Sequence, residues 1–157
     1  LVLHSIIIQV STAPIDREDY YDSEMYTGDN SVSQFADYLS DMTEDEMLSN
    51  IRWLGEKNGI YTNPNNRTLM ITGKREYFKD SYEKFMHALE MIRHMTYGEF
   101  ITNSPKRAVY DISYYFDKAS GVYVDSDKYD LIPFDEFVRL SDEGIPYYIG
   151  AVIGYHF

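Results

Sequence analysis

The chain has 157 residues, 26 acidic against 14 basic side chains, a net charge of −12 and no cysteine. That length fits one domain with a core large enough to need no staple, and the lack of thiols excludes disulfides and thiolate metal sites. A hydrophobic content of 44% argues against global disorder, while the negative field repels nucleic acid and anionic lipid, so neither direct nucleic-acid nor membrane binding is expected.

The opening "VLHSIIIQV" is a short β-branched run closed by "STAP", which predicts a strand over residues 2–10. It is too short for a membrane span and has no basic residue ahead of it, so it reads as a buried strand rather than a signal peptide. A cysteine-free chain without a targeting signal is expected to be cytoplasmic.

The charge is concentrated immediately afterwards. Residues 16–46 hold eleven acids and one base, net −10, whereas the other 126 residues hold fifteen acids and thirteen bases, net −2. "DREDYYDSEMYTGDN" sets Asp16, Glu18, Asp19, Asp22 and Glu24 among Tyr20, Tyr21, Met25 and Tyr26. Large rings in such a stretch have a simple use: they pack down while the carboxylates stay in water. An ordered surface loop with a helical turn around Asp19–Met25 is expected.

"SVSQFADYLSDM" places Val32, Phe35, Leu39 and Met42 at helical spacing and predicts a helix. A second helix follows in "TEDEMLSNIRWLGEKNG", opened by a Thr43–Glu46 capping box and closed by Gly59. The acids crowding its first turn suit the helix dipole, so part of the cluster has a structural explanation. "GIYTNPNNRTLMITG" reads as two strands around an Asn-Pro-Asn-Asn turn.

Residues 74–95 give the strongest helical pattern, with Phe78, Tyr82, Phe85, Leu89 and Ile92 on one face. "RAVYDISYYF" alternates, which predicts a strand turned through "DKASG" into "VYVDS" as a hairpin. "PFDEFVRLSDEG" is a short helix between Pro133 and Gly144, and "IPYYIGAVIGYHF" a long closing strand. The order β-α-α-β-β-α-β-β-α-β predicts a single α+β domain over 1–157, with a largely antiparallel mixed sheet and helices mainly on one face. Whether the first and last strands meet in the sheet centre stays open.

Glu83, His87, Glu90 and His94 share one stripe of the long helix. Imidazole and carboxylate at such spacing suit zinc or iron, but the coordination would need ligands from another element to close. The stripe lies almost opposite the apolar face, where a solvated helix back also places such residues. Lys74 and Arg75 at a helix start form a candidate anion cradle, without the glycines of a phosphate loop. "DSDKYDLIPFDE" resembles a calcium loop in its first, third and twelfth positions, but lacks the acid at the fifth and the glycine at the sixth. No serine sits in a nucleophile elbow, no catalytic residue stands out, and no cofactor is expected.

Sixteen tyrosines are the other anomaly. Tyrosine combines large apolar area with a polar tip, which suits interfaces and half-wet sheet faces. The expectation is therefore a non-enzymatic interaction module that binds a basic protein surface through Asp16, Glu18, Asp19, Tyr20, Tyr21, Asp22, Glu24 and Tyr26. An inhibitor, an immunity factor or a nucleic-acid mimic is the sharpest form of that reading. The alternatives are a small enzyme or ligand-binding domain with a scattered carboxylate and histidine site, and a self-associating protein whose acidic segment meets Lys74, Arg75, Lys79, Lys106 or Arg107 of a second copy.

Overall fold

In the computed structural model, which describes residues 5–27, 36–114 and 121–156, the opening apolar run forms β1, Ile6–Ser11. Two short 3-10 turns follow at Arg17–Asp19 and Ser23–Tyr26, then β2, Tyr38–Asp41. Next come α1, Glu44–Asn58, and a hairpin of β3, Tyr61–Asn63, and β4, Thr68–Met70. The helices α2, Lys74–Arg93, α3, Tyr97–Thr102, and α4, Lys106–Tyr114, lead to β5, Val122–Ser126, and β6, Asp130–Pro133. The chain ends in α5, Phe134–Leu140, and β7, Pro146–His156. The fold is α+β.

The residues group into two compact units, Leu1–Thr72 with Ala119–Phe157, and Gly73–Lys118. The first is built on one seven-stranded sheet in the order β3-β4-β7-β1-β5-β6, with β2 also paired to β7. Only the β1–β5 pairing is parallel among the pairings described. The first and last strands do meet: β1 and β7 lie side by side at the centre, and both are buried along nearly their whole length. Strands buried on both faces read as continuous apolar runs, which is the pattern of both segments.

Cross-strand partners share a face. Ile7 lies opposite Tyr123 and Ile153, Gln9 opposite Asp125, and Leu39 opposite Tyr155. One sheet face thus carries Ile7, Gln9, Tyr123, Asp125, Ile153, Tyr155 and Leu39. Ile7, Ala151, Ile153 and Tyr155 form a buried cluster there with Tyr26, and Tyr20 and Tyr21 pack against it. The acidic segment is therefore laid across a sheet face by its own rings.

α1 has the expected capping box, the Thr43 hydroxyl accepting from the Glu46 amide and the Glu46 carboxylate accepting from the Thr43 amide. Those bonds hold the Glu46 carboxyl below its ordinary range. Gly59, at φ 67°, ends the helix in the left-handed region. α1 packs on β3 and β7 through buried residues including Met47, Ile51 and Leu54, and α5 packs on β5 and β6.

In the helical unit α2 packs against α4. Its buried line holds Tyr77 and Ala88, whereas Tyr82 and Leu89 of the expected apolar face are exposed. At 100° per residue the line of Tyr77 and Ala88 is rotated by roughly 90° from the centre of that expected face.

Two expected elements are replaced. Residues 38–41 of the expected helix form β2, drawn into pairing by residues 153–156 of β7; Val32 and Phe35 lie outside the described residues. Tertiary pairing outweighs a marginal helical period over so few residues. The expected strand "RAVYDISYYF" is α4 in its described part. Its alternation is incidental, because Ala108 is buried and Asp111 and Ile112 half-buried, at steps of three and four, while Val109 and Tyr110 face solvent. β5 accordingly pairs with β1 and β6; the "DKASG" turn is outside the described residues apart from Gly121.

Gly55 is the tightest point between α1 and β3. A Cβ there would overlap the Thr62 side chain and stand 2.9 Å from the Ile60 carbonyl oxygen. Gly55→Ala is expected to lower stability by about 1–3 kcal/mol, although alanine favours a helix interior by ~1 kcal/mol. Urea denaturation measures it, and an unchanged or raised midpoint would contradict the packing described.

Candidate functional site

Gln9 is the one polar side chain in the buried stretch of β1, at a register shift between Ile8 and Val10 in the pairing with β7. Its Oε1 accepts from the amides of Ala151 and Tyr21, both at 3.0 Å, and its Nε2 donates to the Asp19 carbonyl at 2.9 Å. One carboxamide thus mends the irregular ladder and fastens the acidic segment to the sheet. Gly150 makes the room, since a Cβ there would overlap the Gln9 carboxamide.

Tyr26 is the second anchor. It is buried, and its hydroxyl donates to Asp125 Oδ2 at 2.7 Å. Burial pushes the Asp125 carboxyl above its ordinary range, against the opposing effect of the Tyr26 bond, and Asp130 adds to the rise. Burial, then the Asp125 bond, raise the Tyr26 phenol in turn. Burial and the charges of Asp125 and Asp127 raise Tyr21.

Arg67 is the third anchor. It follows the Asn-Pro-Asn-Asn turn at φ 48°. Its Nε donates to the Ile149 carbonyl at 3.1 Å, and its Nη2 donates to the Gly150 carbonyl, between the stretches of β7 that pair with β4 and β2. Its Nη1 lies 2.6 Å from a Glu44 oxygen, and the guanidinium stands 4.9 Å from the centre of the Tyr20 ring.

The expected docking residues separate into two groups. Asp16, Glu18, Asp19 and Glu24 are exposed, and among the described residues they make no ion pair. Tyr20 and Tyr21 are half-buried, with one surface on the core and the other toward solvent. Asp22 is occupied in capping the second 3-10 turn through the Met25 amide, and Tyr26 supports the segment from beneath. Asp41 is similarly engaged by Ser23, and Glu44 by Arg67 and, at 3.6 Å, by Arg17. Only part of the acidic load is internally compensated.

Glu18, Asp19, Tyr20 and Tyr21 line a wide open depression of about 520 Å3 together with Gln9, Met25 and Asp127 among others. Met25 is 55% exposed. The surface combines carboxylates, the outer sides of two rings and a thioether, a composition that accommodates a guanidinium or ammonium group and its aliphatic stem. Gln9 and Arg67 are not among the residues expected from the sequence, and Asp125 and Asp127 stand there only as the first and third positions of the calcium-like loop. Of Gln9 and Arg67 only Gln9 leaves a signal, a lone carboxamide inside a buried strand that must find partners.

The other candidates lie on α2, in the helical unit. On α2, His94 Nε2 lies 2.9 Å from Glu90 Oε2, but among the described residues no group of three or more histidine, aspartate or glutamate side chains converges as metal ligands. Glu83 and His87 are exposed on the same helix. Lys74 and Arg75 line a separate depression on α2. No helix among the described residues is long and apolar enough to cross a membrane. Comparison with protein families, curated proteins and solved structures gives no match.

Replacing Gln9 by leucine removes three hydrogen bonds and leaves two amides and a carbonyl to find other partners. A loss of about 2–4 kcal/mol is expected. Amide hydrogen exchange at Tyr21 is expected to accelerate beyond that global loss, and unchanged exchange there would refute the clamp.

Asp125→Asn tests the buried carboxyl. Because the folded state raises its pKa, protonation favours folding, and this contribution is lost as pH rises from the unfolded value near ~4 through the folded one. The asparagine variant does not titrate, so its stability relative to wild type is expected to be greater at pH 7 than at pH 4. Paired urea titrations that show the reverse trend would contradict this assignment.

Proposed function

We propose that this protein is a non-enzymatic interaction module that receives a basic surface of a partner protein on the platform of Asp16, Glu18, Asp19, Tyr20, Tyr21, Glu24 and Met25. The observation that carries the reading is the exposure of Asp16, Glu18, Asp19 and Glu24, without internal ion pairs among the described residues, on a segment anchored by Gln9, Tyr26 and Arg67. A preordered charged surface loses little conformational entropy on association, so more of its contact energy appears as affinity. The carboxylates supply steering and register, and the rings supply area that can be desolvated.

In its sharpest form the partner is a nuclease or another DNA-binding protein, whose basic cleft would accept carboxylates in place of phosphates. The cysteine-free composition favours a reducing, cytoplasmic setting. The enzyme alternative requires an enclosed pocket with converging polar groups, and the depression at the platform is open.

Calorimetric titration with lysine- and arginine-rich peptides and basic DNA-binding proteins tests the proposal. Affinity is expected to fall about tenfold or more as salt rises from about 50 to about 500 mM. Glu18→Gln with Asp19→Asn is expected to remove most of that dependence, and duplex DNA to compete where the partner binds DNA. Binding that ignores both salt and these substitutions would overturn it.

A further inference from the structure

α2 carries the complement of the acidic platform. Arg75, Phe78, Lys79 and Tyr82 fall on one stripe of the helix, with Lys74 one turn before Phe78, and these five residues line an open depression of about 430 Å3. Arg75 and Lys79 are exposed, and Tyr82 is 63% exposed. The N-cap residue Gly73 brings no side-chain acceptor to the first-turn amides, so their partial positive charge adds to that of the three cations. The depression on the sheet unit has the inverse chemistry, with Glu18, Asp19 and Asp127 around Tyr20, Tyr21 and Met25.

Charge is segregated between the units in the same sense. The sheet unit has nineteen acidic and six basic side chains, net −13; the helical unit has seven acidic and eight basic, net +1. The whole net charge of the chain therefore resides on the sheet unit. Of the other cations on the helical unit, Arg107 is paired with Asp111 at 3.0 Å and Arg93 with Glu90 at 3.3 Å.

We infer that these two surfaces meet between copies: the Arg75–Phe78–Lys79–Tyr82 stripe of one molecule docks on the Glu18–Asp19–Tyr20–Tyr21 platform of another. The inference rests on the platform reading above and names a second copy of the chain as one partner the platform accepts. The contact joins different patches, so it builds chains or rings unless two copies engage each other reciprocally. In each case mass rises with concentration. Exposed ion pairs are individually weak and screened by salt, which makes the association weak and salt-sensitive.

Sedimentation equilibrium on the full chain, between about 10 μM and about 1 mM protein at about 20 and about 500 mM salt, reads this directly. Mass is expected to climb with concentration at low salt and to return to the monomer value at high salt. Arg75→Glu with Lys79→Glu is expected to give a monomer, as is Glu18→Lys with Asp19→Lys, while an equimolar mixture of the two double variants associates again. Circular dichroism and thermal melting confirm that each variant is folded. A wild-type chain that stays monomeric at low salt overturns the inference, and so does association that survives either double variant. Titration with an oligolysine peptide separates the two levels. A monomer that still binds oligolysine through Glu18 and Asp19 loses only the second-copy partner, whereas a chain that binds neither loses the platform as well.

Discussion

The carboxamide of Gln9 ties the acidic segment, which pairs with no strand among the described residues, to the central β1–β7 pair. At the shift in β1 it accepts from Ala151 of β7, accepts from Tyr21 and donates to the carbonyl of Asp19. Both acceptor sites of Oε1 and one Nε2 donor are engaged, and removing a partner from such a buried polar group is costly. The segment therefore sits in one place on the sheet or the strand centre bears unsatisfied polar groups. Gly150 belongs to the same device, because its missing side chain is the volume the carboxamide fills. The position of Glu18, Asp19, Tyr20 and Tyr21 is fixed by this contact together with the packing of the segment's own rings.

Repulsion along the segment is limited by a division of labour. Arg67 neutralises Glu44, touches the ring of Tyr20 and caps two carbonyls of β7, so a single guanidinium links the hairpin, the start of α1, the central strand and the acidic segment. Asp22 and Asp41 are absorbed into backbone hydrogen bonds. What remains uncompensated points into water, where like charges a few ångströms apart repel weakly. Burial of Tyr26 and half-burial of Tyr20 and Tyr21 outweigh that residue of repulsion, since each ring removes apolar area from water. Rings and acids are interleaved because each ring fastens the backbone that its neighbouring carboxylates would otherwise loosen.

The features legible in the sequence are those encoded locally. The Thr43–Glu46 box, the Gly59 stop, the hairpin around Asn63–Asn66 and the Pro133 start of α5 each reside within a few residues, and each is found. Two further signals are equally local: Thr96 and Glu99 form a capping box at α3, and Ser104-Pro105 precedes α4. β2 could not be read in this way, since its four residues become a strand only because β7 extends beyond β4 and offers them a partner. The site divides along the same line. The carboxylates and rings, Tyr26 among them, are visible as composition, but the anchors Gln9 and Arg67 are not. Gln9 lies 142 residues from Ala151 along the chain, and Arg67 lies 82 from Ile149; separations of that size leave no trace in local spacing.

The length of the helical unit calls for an explanation that sheet closure does not provide. In the sheet, β4 and β5 are separated by β7 and β1, and Met70 lies level with Pro146 while Val122 lies level, through Ile6, with Gly154. Three strand spacings and eight residues of offset amount to roughly 30 Å, a span about ten extended residues cover. The chain instead places Gly73–Lys118 between them, a unit with its own helix packing and near-neutral charge. It exposes Tyr82, Tyr97, Phe100, Ile101 and Tyr110, more large apolar side chains than solvation of a mere connector favours. A surface of that composition, carried by the same chain as a strongly acidic sheet unit, is better suited to contact than to connection. The proposed contact between copies would draw on the contrast between a sheet unit of net −13 and a helical unit of net +1.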